Sequence, residues 1–277
     1  MKVGVSLPVR EMAEDLTAIK DFAQAAEALG LNHLRVPDQV IRPNNKHLHE
    51  PITLLSYIAG VTHSIELVPS VIVLPVRQTA LIARQTAQLD VLSGGRLRLG
   101  VGVGGSAPEY EAMGIDFHTR GARCDEQLAL LNQLWTQESV RFEGRFDRVI
   151  DNGINPRPLQ QPIPIWIGAS SDPGDAVVRR IGKWAAGWFV LASPETYPDL
   201  KSRIDTAARS AGRQPQDIGT EAGVAIVGPR EAEWQSRVTH WQGAGLTHIC
   251  LRTLGGDLSI AEHIPRLQAA CAELPLT

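Results

Sequence analysis

Hydrophobic positions along the chain switch between two periods. Val3, Val5 and Leu7 alternate with small or polar residues, the period of a strand. Leu16, Ile19, Phe22, Ala26 and Leu29 then recur at helical steps, and Gly30 stands where a helix C-terminal cap belongs. The exchange repeats. Apolar, β-rich stretches predict strands over 34–37, 65–74, 96–103, 163–168, 185–191, 218–227 and 247–251. Helical spacing predicts helices over 51–60, 80–92, 121–135, 175–181, 198–211, 231–242 and 260–272. Repeated β–α units imply parallel strands with helical crossovers. Eight units in 277 residues fit a single α/β domain over 1–277, a closed (β/α)8 TIM barrel, better than an open sheet.

An internal echo supports this reading. Gly30-Leu31-Asn32-His33-Leu34 resembles Gly245-Leu246-Thr247-His248-Ile249, and both sit where a helix ends and a strand begins. The least regular stretch, about 137–164, carries Val140-Arg141-Phe142-Glu143-Gly144-Arg145-Phe146 and Asn155-Pro156-Arg157-Pro158. It reads as an insertion between the fourth and fifth strands, in the form of a hairpin.

Composition narrows the function classes. A net charge of −3 gives no basic field for nucleic acid or an anionic membrane. No apolar run reaches the ~18 residues of a membrane span. The N-terminal residues read as a strand and not as a signal peptide. Cys124, Cys250 and Cys271 are odd in number and widely spaced, which argues against a disulfide framework and a zinc cluster. The expectation is a cytoplasmic enzyme acting on a small molecule, with no metal.

In a barrel, catalytic groups gather in loops after strand C-termini. Ser93-Gly94-Gly95 precedes a strand and reads as a helix cap; His33 and His248 begin strands and read as structural. Gly100-Val101-Gly102-Val103-Gly104-Gly105 formally matches a dinucleotide fingerprint. Its first glycines lie inside a strand, and Asp125 falls in a helix, so that reading fails. Alternation instead places Leu97, Leu99, Val101 and Val103 outward, under the helices, and Gly100, Gly102 and Gly104 inward. Inward glycines leave room for a flat ring or for close packing. Gly104-Gly105-Ser106 and Gly168-Ala169-Ser170-Ser171 follow successive strands and are candidate phosphate cradles, since small residues there expose backbone N–H groups. Asp38 and Gln39 end the second strand, placed either to bond a polar ring edge or to form a turn after Pro37. His47-Leu48-His49, in the same loop, lacks the carboxylates of a metal site and reads as a solvated lid. None of Lys2, Lys20, Lys46, Lys183 and Lys201 ends a strand, against Schiff-base chemistry. No obvious nucleophile remains, which points to a cofactor as the carrier of the chemistry.

The run Leu89-Asp90-Val91-Leu92-Ser93-Gly94-Gly95-Arg96-Leu97-Arg98-Leu99-Gly100-Val101-Gly102-Val103-Gly104 resembles the hallmark of the luciferase-like monooxygenase superfamily. Val36-Pro37-Asp38, Arg120-Gly121-Ala122-Arg123-Cys124-Asp125-Glu126, Pro156-Arg157-Pro158 and Pro164-Ile165-Trp166-Ile167-Gly168 match in the family's order. The details are most similar to the branch using the deazaflavin coenzyme F420, with flavin mononucleotide (FMN) members close by. The resemblance implies a homodimeric barrel with an insertion and an oxidoreductase transferring hydride or, with FMN, oxygenating its substrate beside a separate reductase. It implies that Asp38 and Gln39 lie near the ring and that Ser70 and Val71, joined by a non-prolyl cis peptide, support its face. It places Gly104 and Gly105 beside ring and tail, and Gly168, Ala169, Ser170 and Ser171 around a phosphate. Many deazaflavin members carry His where this chain has Gln39, and an amide is no general base. The catalytic residue is therefore unassigned, and a non-catalytic flavin-binding barrel stands as a rival.

Overall fold

The computed structural model describes residues 1–41 and 49–274. Nine parallel segments form one sheet: β1 (Lys2–Ser6), β2 (His33–Val36), β3 (Glu66–Pro69), β4 (Ile72–Val73), β5 (Leu99–Gly102), β8 (Ile165–Gly168), β9 (Gly187–Val190), β10 (Gly219–Ala225) and β11 (His248–Arg252). Their order is β3-β2-β1-β11-β10-β9-β8-β5-β4. The ends meet: Leu67 of β3 bridges Leu97, and β4 pairs with β5 at Ile72–Val101. β3 and β4 are two pieces of one interrupted strand, so the sheet is the predicted eight-stranded barrel. Around it lie α2 (Leu16–Ala28), α3 (Pro51–Ala59), α4 (Thr79–Leu92), α6 (Arg120–Thr136), α7 (Asp175–Trp184), α8 (Tyr197–Ser210), α9 (Trp234–Gly243) and α10 (His263–Ala272), with short α1 (Val9–Met12) and α5 (Ala107–Ala112) in the loops after β1 and β5.

Local chemistry sets these elements. Asp15 caps α2 by accepting from the Ala18 amide at 2.9 Å, and Ile19, Phe22, Ala23 and Ala26 bury its inner stripe. Truncating Phe22, fully buried, would cost about 3–5 kcal/mol. Gly30 and Gly245 stop their helices at φ +73° and +78°, a conformation costly for other residues, which explains the sequence echo. Gly94 and Gly95, at φ +69° and +82°, end α4 likewise. On β5, Leu99 and Val101 face outward into the main core as the alternation predicts. The insertion contains the antiparallel hairpin β6 (Val140–Glu143) and β7 (Arg148–Asn152). Glu126 of α6 holds its turn, accepting from the amides of Arg145, Phe146 and Asp147 at 2.7–2.8 Å. No helix among the described residues is long and apolar enough to cross a membrane.

Candidate active site at the barrel mouth

The strand interruption between β3 and β4 builds the centre of the site. Ser70–Val71 is a cis, non-prolyl peptide. The Ser70 amide donates to Val36 O at 2.7 Å, and Ser70 Oγ accepts from Arg35, with Nε at 2.8 Å. The half-buried Val71 side chain projects between β5 and β8. A Cβ on Gly102 would lie 2.8 Å from it, and one on Gly168 3.0 Å. Both neighbours must therefore be glycine, and Val71 forms an apolar ledge between them, packed against the cluster of Val68, Trp166 and Phe189. The same close approach accounts for the rest of the stripe: a Cβ on Gly100 would meet Pro69 O at 2.2 Å, and one on Gly104 would meet Val73 at 2.7 Å. The inward glycines admit the interrupted strand first and shape the mouth through it.

Asp38 is committed to this ledge. Its carboxylate, 1% exposed, accepts from the Val73 amide at 3.0 Å and pairs with Arg77 at 2.8 Å. It fixes β4 and so braces the ledge. Gln39 follows it, half-buried in the loop. Beyond β5, Gly104 is left-handed (φ +63°), whereas Gly105 is exposed and has open space where a side chain would stand. Beyond β8, Ala169 is buried while Ser170 and Ser171 are exposed. The following helix, α7, opens only at Asp175, and Asp172 and Asp175 there both pair with Arg203. The turn expected to hold a phosphate thus presents serine hydroxyls and loop amides, separated from the helix N-terminus. Of His47-Leu48-His49, only His49 lies within the described residues; its Nε2 donates to Ala13 O at 2.8 Å.

Below the ledge the barrel is plugged by charge. Glu221 of β10 accepts from Arg35 Nη1 and Arg98 Nη1, both at 2.9 Å, and its Oε2 lies 3.3 Å from His33 Nε2. Phe189 and Trp166 cover the Arg35 and Arg98 guanidiniums at 4.7 and 4.3 Å. Gly4 admits the His33 ring, which a Cβ there would strike at 2.3 Å. Burial alone would raise the Glu221 pKa, but His33, Arg35 and Arg98 hold it well below the usual carboxylate range. Burial pushes His33 below its ordinary value against the pull of Glu221. Burial, then Arg98, takes His248 down to about 3. His33, Glu221 and Cys250 bring ligand atoms within 4.8 Å of one another. Both Glu221 oxygens already hold guanidiniums, and burial pushes the Cys250 thiol up and away from the thiolate a metal needs. The triad does not suit a cation.

Several mouth residues escape the sequence reading. Glu109 of α5 is 4% exposed and accepts from the Val40 amide at 2.8 Å, which ties it to the loop carrying Gln39. Glu11 of α1, Arg35 and Arg252 line a 220 Å³ cavity that reaches Ser70. The available signal was charge on the inward phase of barrel strands, as at Arg35, Arg98, Glu221 and Arg252; Glu11 and Glu109 sit on helices too short to show a period.

A planar, phosphate-bearing group fits these residues. Val71 offers an apolar face, Gly105 leaves an open place for a close approach, and Ser170 and Ser171 offer donors to an anion. Comparison with known proteins agrees with this geometry. A Mycobacterium tuberculosis protein described as uncharacterised is 31% identical over 222 residues, spanning 73% of this chain and 75% of its own length. The F420-dependent glucose-6-phosphate dehydrogenase of Kineococcus radiotolerans is 30% identical over 231 residues, spanning 79% of this chain and 66% of that enzyme. In fold, the chain matches the monooxygenase RslO1 of Streptomyces bottropensis (TM-score 0.83, 21% identity, 99% of this chain and 98% of that one). It also matches an F420-dependent secondary alcohol dehydrogenase (TM-score 0.81, 15% identity, 97% of each). The sequence profile of the luciferase-like monooxygenases matches residues 1–269. The chain belongs to the luciferase-like monooxygenase family of oxidoreductases.

Proposed function

We propose that this chain transfers hydride between the deazaflavin coenzyme F420 and a small organic substrate at the barrel mouth. The observation that carries the reading is the Val71 ledge between two obligatory glycines, held from behind by Arg35 through Ser70. Relatives of about 30% identity that are named F420-dependent dehydrogenases support deazaflavin over FMN.

The bound deazaflavin would supply the ring carbon that takes or gives the hydride. The protein's residues do the rest. Val71 would support the ring face, and Asp38 with Arg77 keeps β4, and so the ledge, in place. Gly104 and Gly105 leave space beside ring and tail, and Ala169, Ser170 and Ser171 offer amides and hydroxyls to a phosphate. The Arg35–Glu221–Arg98 plug closes the barrel below and limits water entry from that side. Gln39 can donate or accept a hydrogen bond but moves no proton at neutral pH. Glu109, buried and tied to the loop after Gln39, is the carboxyl to which we assign the substrate's proton.

Titration of the purified protein with F420 and with FMN, followed by quenching of its six tryptophans, tests the reading. F420 is expected to bind more tightly and to accept hydride during turnover. Tight FMN binding with none for F420 would favour the oxygenase reading. Binding of F420 without turnover over a broad panel of alcohols, aldehydes and acids would favour the non-catalytic one. On the proposed reading the enzyme is a homodimer, which light scattering checks.

A further inference from the structure

We propose that the arc of the mouth between β1, β2 and β11 is a subsite for an anion, and that the substrate is a small organic acid bearing a hydroxyl or carbonyl group. The inference rests on the placement of the cofactor ring at Val71, because the cavity opens beside Ser70. Six residues carry the argument: Ser6, Arg10, Glu11, Arg35, Ser70 and Arg252 all line the 220 Å³ cavity.

Three of these are arginines, and they differ in what they already hold. Arg35 is engaged by Ser70 and Glu221. The side chains of Arg10 and Arg252 make no hydrogen bond or ion pair among the described residues. Arg10 is exposed at the rim on α1. Arg252 is set deeper, on the last residue of β11, with its Nε shut off from water and unpartnered. Its side chain passes over Gly223 of β10, where a Cβ would come within 3.5 Å of Nε. Its Nη groups hold no partner either and are not shut off from solvent, so the guanidinium meets the cavity through them and is open to an anion.

Glu11 leaves both of these cations unpaired. Its Oε1 accepts from the Gly255 amide at 3.1 Å, and its buried carboxylate acts on His263. A closed structural cluster would pair this carboxylate with one of the two free guanidiniums. It pairs with neither, so the cavity presents two unneutralised cations to a third party. Guanidinium forks match carboxylate and phosphate oxygens in two-point contacts. The cavity corresponds to the space of about seven waters, which suits a small acid and excludes a drug-sized ligand.

Calorimetric titration of the protein, with and without F420, tests the subsite. The probes are lactate, glycerol 3-phosphate and their neutral counterparts lactamide and glycerol. At least one anion is expected to bind tenfold or more tightly than its neutral counterpart. The better of the two identifies the group as carboxylate or phosphate ester. Arg10→Met, at an exposed position, and Arg252→Met should each weaken that anion at least tenfold while F420 affinity stays unchanged. Arg252→Lys keeps the charge, and should recover part of the affinity if Arg252→Met folds poorly. Equal binding of anion and neutral counterpart, binding of neither anion, or anion affinity that survives both arginine changes would overturn the proposal. Anion binding through Arg10 and Arg252 in a protein that takes no F420 would instead uphold the subsite and refute the cofactor reading.

Discussion

Replacing Glu221 with Gln would remove one negative charge from the centre of the barrel and change little else in shape. In the native chain that carboxylate, with no exposed side-chain surface, faces two guanidiniums at 2.9 Å and His33 at 3.3 Å. Arg98 retains a second carboxylate, Glu66, at 3.3 Å from its Nε; Arg35 keeps the neutral partners Ser70 Oγ and the Cys250 thiol. The amide keeps one acceptor oxygen but turns its NH2 toward a donor. Removing one partner of a buried ion pair leaves an uncompensated charge and costs about 3–5 kcal/mol. In a chain of this size that corresponds to a drop in melting temperature of roughly 6–20 °C. Thermal unfolding read by tryptophan fluorescence, with a urea titration for the midpoint, measures it. Arg35 loosened from Glu221 should also hold Ser70 less firmly, so F420 affinity should fall in those molecules that remain folded. A melting temperature within 2 °C of the parent would mean the plug is not a compensated buried cluster, and the support assigned to Arg35 would fall with it.

Other consequences follow from the same geometry. His33 and His248 have folded pKa values below the unfolded value of about 6.5, so their contribution to stability is full above that pH and declines as pH falls below it, by about 1.4 kcal/mol per pH unit for each. Glu221 adds a second loss below its unfolded value, since its folded pKa is depressed, and urea midpoints between pH 7 and 4 that stay flat would refute both assignments. A Cβ added at Gly105 meets no protein atom within 4 Å, so Gly105→Val should leave the melting temperature unchanged while cutting F420 affinity at least tenfold; unchanged affinity would remove this loop from the cofactor site. Glu109→Gln should slow single-turnover hydride transfer about 10²-fold or more with cofactor affinity retained, and Gln39→His should add a pH limb near ~6.5. An undiminished rate in the first, or an unaltered profile in the second, would show that these residues stand away from the chemistry.

What the chain discloses by itself depends on how far apart the cooperating residues lie. The barrel is legible because each β–α unit is local: Gly30 stops α2 three residues before β2 begins, and the same device recurs at Gly245. The glycine phase of β5 is legible as well, although its cause is not, since the crowding comes from Pro69, Val71 and Val73 on the neighbouring strand. Pro69 itself stays in β3, paired opposite Val36, and the interruption falls one step later, at Ser70. The plug is the opposite case. Arg35, Arg98 and Glu221 are single charges on three strands, separated by 186 and 123 positions. No window of sequence shows them as partners; only closure of the barrel does.

Closure also divides the labour among the carboxylates. Asp38 follows β2 at the mouth, yet its oxygens are taken by Val73 and Arg77, and it is sealed from solvent. Glu221 is ionised but lies below the ledge, locked between guanidiniums that keep its proton affinity low. His33 and His248 are held neutral in the same interior. Gln39 has no proton to exchange at neutral pH. Among the described carboxylates discussed at the mouth, Glu109 and Glu11 remain, and they stand apart: Glu109 is tied to the loop of Gln39 through Val40, and Glu11 faces the cavity of Arg10 and Arg252. A hydride acceptor on Val71 would have the first beside the loop at one edge and the second beside the bound acid. The exchange of His for Gln at position 39 then need not silence the enzyme. On the proposed reading the proton work would pass from the strand end to Glu109 on a short helix, where its carboxyl is tied to the Val40 amide.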